Sequence, residues 1–200
     1  LHDIRTAALK KDKIRAGLKL GEKSMKLTVG NTMPDFDVTT LGKGATSLKD
    51  VVGGNTTAIY FLRYIGCTIC QLDLANIHEG HSKLEENGAK AVVVLQSPVE
   101  KLQHTDFSYD IISDPTMGLY KELDIVAAPS MEVLVGGTSM DKMARAIATG
   151  YSHGEYEGDE HQLPATFIVD ENMKVLYAKY SRDLDDLPTI DELSAVIKKA

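Results

Sequence analysis

The chain has 200 residues, 43% hydrophobic and 26% charged, a size and composition suited to one domain with a real core and an added arm. Its 29 acids and 22 bases leave a net charge of −7, which argues against a duplex-binding role, since that needs a basic face to displace counterions. No apolar run approaches the roughly 20 residues that span a bilayer, and charge breaks the first apolar stretch too often for a signal peptide.

Residues 1–26 carry eight bases against three acids, whereas the remainder is acidic. This asymmetry divides the chain into an N-terminal helical extension over 1–26 and a domain over 27–200. Residues 3–23 read as a helix with Ile4, Ala7, Ala8, Ile14 and Leu18 near one face, interrupted by Lys11 and weakened at its end by Gly17 and Gly21. Such an arm packs on its own domain or supplies a partner contact, including one within a homodimer.

Residues 26–35 form a transition closed by Pro34, which resists both helix and central strand. From there strands and helices alternate. Residues 57–62 (TAIYFL) are a buried strand, 68–87 a helix with Gly88 at its C′ position, and 91–95 (AVVVL) a second buried strand. Ser97-Pro98-Val99-Glu100 opens a short helix, with Ser97 as N-cap, Pro98 at the first position and Glu100 completing a capping box. A strand is expected over 109–112, a short helix over 117–123, a strand over 131–135, and a helix over 139–148 stopped by Gly150. Residues 166–169 and 175–180 form a hairpin across Asp170-Glu171-Asn172-Met173. Thr189 and Glu192 make a capping box for a last helix from 190 to about 199. This alternation implies an α/β domain with a mixed central sheet and helices on both faces; it does not fix the strand order.

The only two cysteines, Cys67 and Cys70, are three residues apart. A structural disulfide staples distant segments, which this pair does not. The spacing suits a reversible redox pair in a reducing compartment, here the cytoplasm. The pair follows a buried strand and opens a helix, where free backbone N–H groups and the positive end of the macrodipole favour a thiolate. One turn apart, the two sulfurs can close a disulfide. The alternative is a pair of small buried hydrophobes.

Five ordered segments resemble the alkyl hydroperoxide reductase and thiol-specific antioxidant group of the thioredoxin-like superfamily, with its peroxiredoxin-like relatives. They are Val29-Gly30-Asn31-Thr32-Met33-Pro34-Asp35-Phe36, Ser47-Leu48-Lys49-Asp50, the Cys67–Cys70 segment, Ile111-Ile112-Ser113-Asp114-Pro115, and Leu163-Pro164-Ala165-Thr166-Phe167-Ile168-Val169-Asp170. The resemblance covers about residues 27–200. It implies a thioredoxin-like three-layer sandwich and a thiol-dependent antioxidant oxidoreductase acting on peroxide or disulfide substrates. It also implies a thioredoxin- or glutathione-type reductant. It further implies that Pro164 is cis and faces the cysteine pair, so that Pro164, Tyr64 and Thr166 fall at the substrate site.

The sequence departs from this group in one respect. The peroxiredoxin pattern is Pro-x-x-x-Thr-x-x-Cys. Here Cys70 occupies the peroxidatic cysteine's place, Cys67 replaces the threonine and Arg63 the proline. The missing hydroxyl moves the reading toward thioredoxin-type exchange, although peroxiredoxin-like relatives with a CxxC share the arginine. Peroxide reduction and disulfide exchange therefore both stand. Cys67 attacks first in exchange, whereas the resemblance favours Cys70 in peroxide reduction. Arg63 can hold a thiolate or a peroxide oxygen by a charge-assisted hydrogen bond, or sit solvated at a strand end.

No cofactor is called for. His78 lies about 12 Å along the helix from Cys70, too far to complete a zinc site with the cysteines. His78 and His81 read as a solvated helix end. A metal carrier with ligands from elsewhere and a redox-silent interaction domain are the remaining alternatives. Residues 151–162 (YSHGEYEGDEHQ) read as an exposed acidic loop. If Pro164 faces the cysteines, this loop rims the site, and His153 or His161 can shuttle a proton.

Overall fold

A computed structural model describes residues 24–137 and 139–199. The expected helix over 3–23 lies outside the described residues. Seven strands form one mixed sheet: β1 Asp37–Thr40, β2 Gly44–Ser47, β3 Thr56–Phe61, β4 Ala89–Leu95, β5 Asp110–Ser113, β6 Ala165–Val169 and β7 Val175–Tyr180. Their order is β2-β1-β5-β4-β3-β6-β7. The centre is parallel, with β3 beside β4 and β4 beside β5. The β6–β7 hairpin adds antiparallel to β3.

The helices are α1 Leu48–Val52, α2 Thr68–Glu85, α3 Val99–Leu102, α4 Gly118–Glu122, α5 Met131–Leu134, α6 Ser139–Ala148 and α7 Ile190–Ile197. None of them is long and apolar enough to cross a membrane, among the described residues.

Strand periodicity builds two cores. Ile59, Phe61, Val92, Val94, Phe167 and Val169 face one side, with Leu48, Val51 and Tyr120 from α1 and α4. Ala58, Tyr60, Ala91, Val93, Leu95 and Ile168 face the other, under Leu74 and Ile77 of α2 and Leu193 and Ile197 of α7. Because both faces are covered, the central strands are apolar on both sides. This is the expected three-layer α/β thioredoxin-like arrangement.

The sequence reading places most elements within a few residues, and the Thr189–Glu192 capping box is present. Three details differ. Residues 131–134 are helical, because the Ser130 hydroxyl accepts from the Val133 N–H at 3.3 Å and starts a turn. Ser97 does not cap α3. Its hydroxyl instead accepts from the Ile65 N–H at 2.9 Å, leaving Pro98 at the N-cap without a side-chain bond. Strands β1 and β2, on one side of the sheet, escaped the reading, because four-residue strands with half-polar faces carry little periodicity.

A buried ion pair ties α2 to α6. Lys142 Nζ lies 2.7 Å from Asp73 Oδ1 and donates to the Leu184 carbonyl at 2.8 Å. Removing one partner from such a pair strands the other charge. Lys142→Met is therefore expected to cost about 3 kcal/mol, read as a lower urea midpoint. The double variant Lys142→Met/Asp73→Leu is expected to recover most of that loss, and a failure to recover it would show that the pair is not the source of the effect.

Candidate active site

β3 ends at Phe61, and the chain turns before α2. The Leu62 N–H continues the pairing to the Val94 carbonyl at 3.1 Å, and the Arg63 carbonyl accepts from the Gln96 N–H at 2.7 Å. A turn from the Tyr64 carbonyl to the Cys67 N–H, at 3.2 Å, then delivers Cys67 to the helix start. Cys67 is the N-cap of α2. Its sulfur accepts from the Cys70 N–H at 3.2 Å, as a serine hydroxyl would. Cys67 is fully buried, Cys70 is 3% exposed, and both are free thiols.

Arg63 is 5% exposed rather than solvated. One arm of its guanidinium, Nη2, donates to Cys67 Sγ at 2.9 Å. The other, Nη1, donates to the Glu160 carbonyl at 2.6 Å and lies 3.6 Å from the Glu160 carboxylate. Burial works against this charge, but the sulfurs of Cys70 and Cys67 more than restore it, so Arg63 stays ionised. Burial and the hydrogen bond shared with Cys70 push the Cys67 thiol well above its usual range. Burial raises Cys70 too, yet the hydrogen bond from Cys67 and the Arg63 charge outweigh it and bring Cys70 down to about 7. The pair thus favours loss of one proton near neutrality and resists loss of the second.

The loop 151–162 is exposed on its outer side, as expected, but its inner edge covers the cysteine turn. The Gly154 N–H donates to the Gly66 carbonyl at 2.8 Å, and Gln71 Nε2 donates to the Ser152 carbonyl at 2.9 Å. A Cβ on Gly66 would lie 2.7 Å from the Glu155 carbonyl oxygen, so the two backbones meet only because residue 66 is glycine. Tyr64 is fully buried beside the cysteines and bonds His153 Nε2 at 2.9 Å. His153 Nδ1 faces the Gly154 carbonyl at 2.8 Å, which fixes Nδ1 as the protonated nitrogen and makes Tyr64 the donor to Nε2. Burial and the nearby Glu160 carboxylate raise the Tyr64 phenol, so it is neutral. His161 contributes its backbone carbonyl to the Ala128 N–H at 2.7 Å.

Pro164 is buried at the start of β6, but its peptide bond is trans, not cis, since no cis bond occurs among the described residues. The segment is held extended from both sides. The Leu163 N–H reaches the Val126 carbonyl, the Leu163 carbonyl accepts from Gln162 Nε2 at 3.1 Å, and the Pro164 carbonyl accepts from the Ser181 N–H at 3.0 Å. Leu163 joins the apolar cluster of Tyr64, Cys67 and Cys70. Thr166 pairs across the sheet with Tyr60 and is fully buried; its Oγ1 has no hydrogen-bond partner.

Two residues that sequence reasoning missed complete the site. Glu160 bonds Arg63, yet in an acidic loop nothing marks it out from its neighbours. Gln96 pins the loop from the strand side, accepting the Asp159 N–H at 2.6 Å. Of the two histidines of α2, one differs from expectation. His78 is exposed, but His81 is 5% exposed and accepts from the Ala91 N–H at 3.4 Å. Among the described residues, no group of three or more His, Cys, Asp or Glu side chains is placed to hold a metal ion.

The fold is similar to several solved structures. Peroxidoxin BcpB from Mycobacterium tuberculosis matches at 14% identity and a TM-score of 0.60, over 88% of this chain and 97% of that one. A cysteine-to-serine mutant of PrxQ from Xylella fastidiosa matches at 14% identity and 0.58, over 88% and 98%. A protein assigned as the thiol:disulfide interchange protein DsbE from Chlorobium tepidum matches at 16% and 0.56, over 86% and 99%. At such identities the likeness is one of fold. No curated protein matches the chain. The AhpC/TSA family model matches residues 29–178, which include both cysteines, Arg63 and the strand that follows the covering loop; the chain belongs to the AhpC/TSA family.

Proposed function

We propose that this protein is a thiol-dependent oxidoreductase that reduces small hydroperoxides, with Cys67 and Cys70 as its dithiol. The observation that carries this reading is the enclosure of the Cys67 and Cys70 thiols beneath an arginine and a covering loop, with 0% and 3% exposure. A small peroxide needs less opening of the covering loop to reach such a centre than a folded protein's disulfide does.

In this reading the Cys70 thiolate attacks the terminal peroxide oxygen. An S–O bond forms, the O–O bond breaks, and the alkoxide leaves as an alcohol after protonation. The positively charged Arg63 stabilises the leaving oxygen. Tyr64 can supply the proton, and solvent replaces it, since the His153 proton is held on Nδ1 by the Gly154 carbonyl. The Cys67 sulfur then attacks the sulfenic acid, water departs, and a disulfide forms. A thioredoxin- or glutathione-type thiol returns the pair to the dithiol state. Pro164 and Thr166 complete the substrate's surroundings from the start of β6.

Thioredoxin-type exchange is the second reading. It is favoured by the placement of the Cys67 sulfur at the N-cap of α2, where backbone donors stabilise a thiolate. Single variants separate the two. In peroxide reduction, Cys67→Ser should still consume one equivalent of hydrogen peroxide and accumulate a sulfenic acid detectable by mass, while Cys70→Ser should be inert. The reverse pattern, together with a mixed disulfide trapped on Cys67 in Cys70→Ser, would replace peroxide reduction with exchange.

The rate of thiol oxidation in the reduced protein is expected to rise with pH around a midpoint of about 7, because Cys70 ionises there and only the thiolate attacks. Arg63→Met removes a charge that favours the thiolate, so its midpoint should move up; an unmoved midpoint in stopped-flow profiles would remove Arg63 from this role. Access is testable at the glycine contact. Gly66→Ala drives a Cβ into the Glu155 backbone and should lift the covering loop. Alkylation of the pair by iodoacetamide should accelerate several-fold, and an unchanged rate would mean that the loop does not control entry.

A further inference from the structure

A second concave site lies between α2, α6 and the segment leading into α7. Its volume is about 890 Å³, within the roughly 300–1,000 Å³ typical of small-molecule pockets. Leu72, Ile77, Leu187, Pro188 and Ile190 give it apolar walls. The polar lining includes Tyr60 from β3, and with it the Asp73–Lys142 pair that joins α2 to α6.

The Tyr60 side chain is 1% exposed and lines this pocket, and its hydroxyl has no hydrogen-bond partner. A buried hydroxyl without a partner costs free energy that a bound acceptor would restore. Burial, with Asp73 nearby, keeps the phenol protonated well beyond neutral pH, so it presents an O–H donor. Lys142 has three N–H donors; one reaches Asp73 at 2.7 Å and another the Leu184 carbonyl at 2.8 Å. The pocket therefore offers donors at its polar end and apolar walls elsewhere.

Charge narrows the ligand further. Lys142 faces Asp73, and Arg145 Nη2 lies 3.8 Å from Asp185 at the rim. Each cation is matched by a carboxylate, so the lining carries no net charge. An anionic ligand would meet Asp73 and Asp185, and a cationic one Lys142 and Arg145.

We propose that this pocket binds an uncharged, carbonyl-bearing apolar molecule, whose oxygen accepts a hydrogen bond from Tyr60 and whose body rests on Leu72, Ile77 and Ile190. The site does not depend on the peroxide reading, since it uses neither cysteine. It does share α2 with the redox pair, because Asp73 follows Cys70 by a single helical turn.

Amide-resolved NMR titration of the reduced full chain tests this with benzylacetone, an aryl ketone, against butylbenzene and hydrocinnamate. The ketone should give saturable shifts at Asn76 and Thr149 and bind more tightly than either the hydrocarbon or the acid. Tyr60→Phe should weaken the ketone roughly tenfold, the worth of one buried hydrogen bond, and leave the hydrocarbon unchanged. Ala148→Trp, on the exposed rim, should abolish binding without touching the core. Absence of saturable shifts, tighter binding of the acid, equal ketone affinity in Tyr60→Phe, or undiminished binding in Ala148→Trp would each overturn the proposal.

Discussion

The guanidinium of Arg63 is the junction on which the site depends. It sits where the central strand ends, and its two arms point in different directions, one to the Cys67 sulfur and the other to the Glu160 carbonyl. A single buried charge thus fixes the helix start that carries the sulfurs and the loop that covers them. A lysine would offer one point charge in place of a planar fork and could not satisfy both partners in the same geometry. The cost of burying this charge is offset by the sulfurs themselves, since a buried cation gains most from a neighbouring anion. The same cation that holds the loop therefore also favours ionisation of Cys70.

Around that junction, the fold supplies stiffness. β3 is paired on both sides along its length, parallel to β4 and antiparallel to β6. It delivers Arg63 and the cysteine turn to one end of the sheet with little freedom. At that same end of the sheet, the chain leading into β6 is held by side chains rather than by a ladder. Gln96 binds the loop near Asp159, and Gln162 donates to the Ile125, Val126 and Leu163 carbonyls. A covering segment held by a few polar contacts can open at lower free energy than the core beneath it.

The redox helix has a second attachment at Asp73. Burial holds this carboxyl up at about 6 against the pull of Lys142, and its charge opposes ionisation of Cys70. Arg63 and Asp73 thus act on the same thiol with opposite sign, one from the strand and one from the next turn of the helix. These two charges act on top of the larger opposed effects of burial and of the Cys67 hydrogen bond on Cys70.

What the sequence by itself determined was local. Alternating apolar runs defined the central strands, and Thr189 with Glu192 started the last helix. The three-residue spacing after a buried strand located the redox pair, because strand period, cap chemistry and helix pitch act over a few residues. Segments that depend on partners distant in the chain could not be read this way. Ser97 has the composition of a cap but spends its hydroxyl on Ile65, and Met131–Leu134 has β-branched content but is wound by Ser130. Pro164 carries a motif that suggested a cis bond, yet its neighbours' hydrogen bonds hold an extended trans path. Only the tertiary structure decided that Glu160, one acid among several, would meet Arg63, that Gly66 and Gly154 would bring two backbones together, and that Tyr60 would end in a cavity without a partner. Those contacts join residues roughly 90 apart in sequence in the case of Gly66 and Gly154, and loop closure over such separations leaves no local periodicity to read.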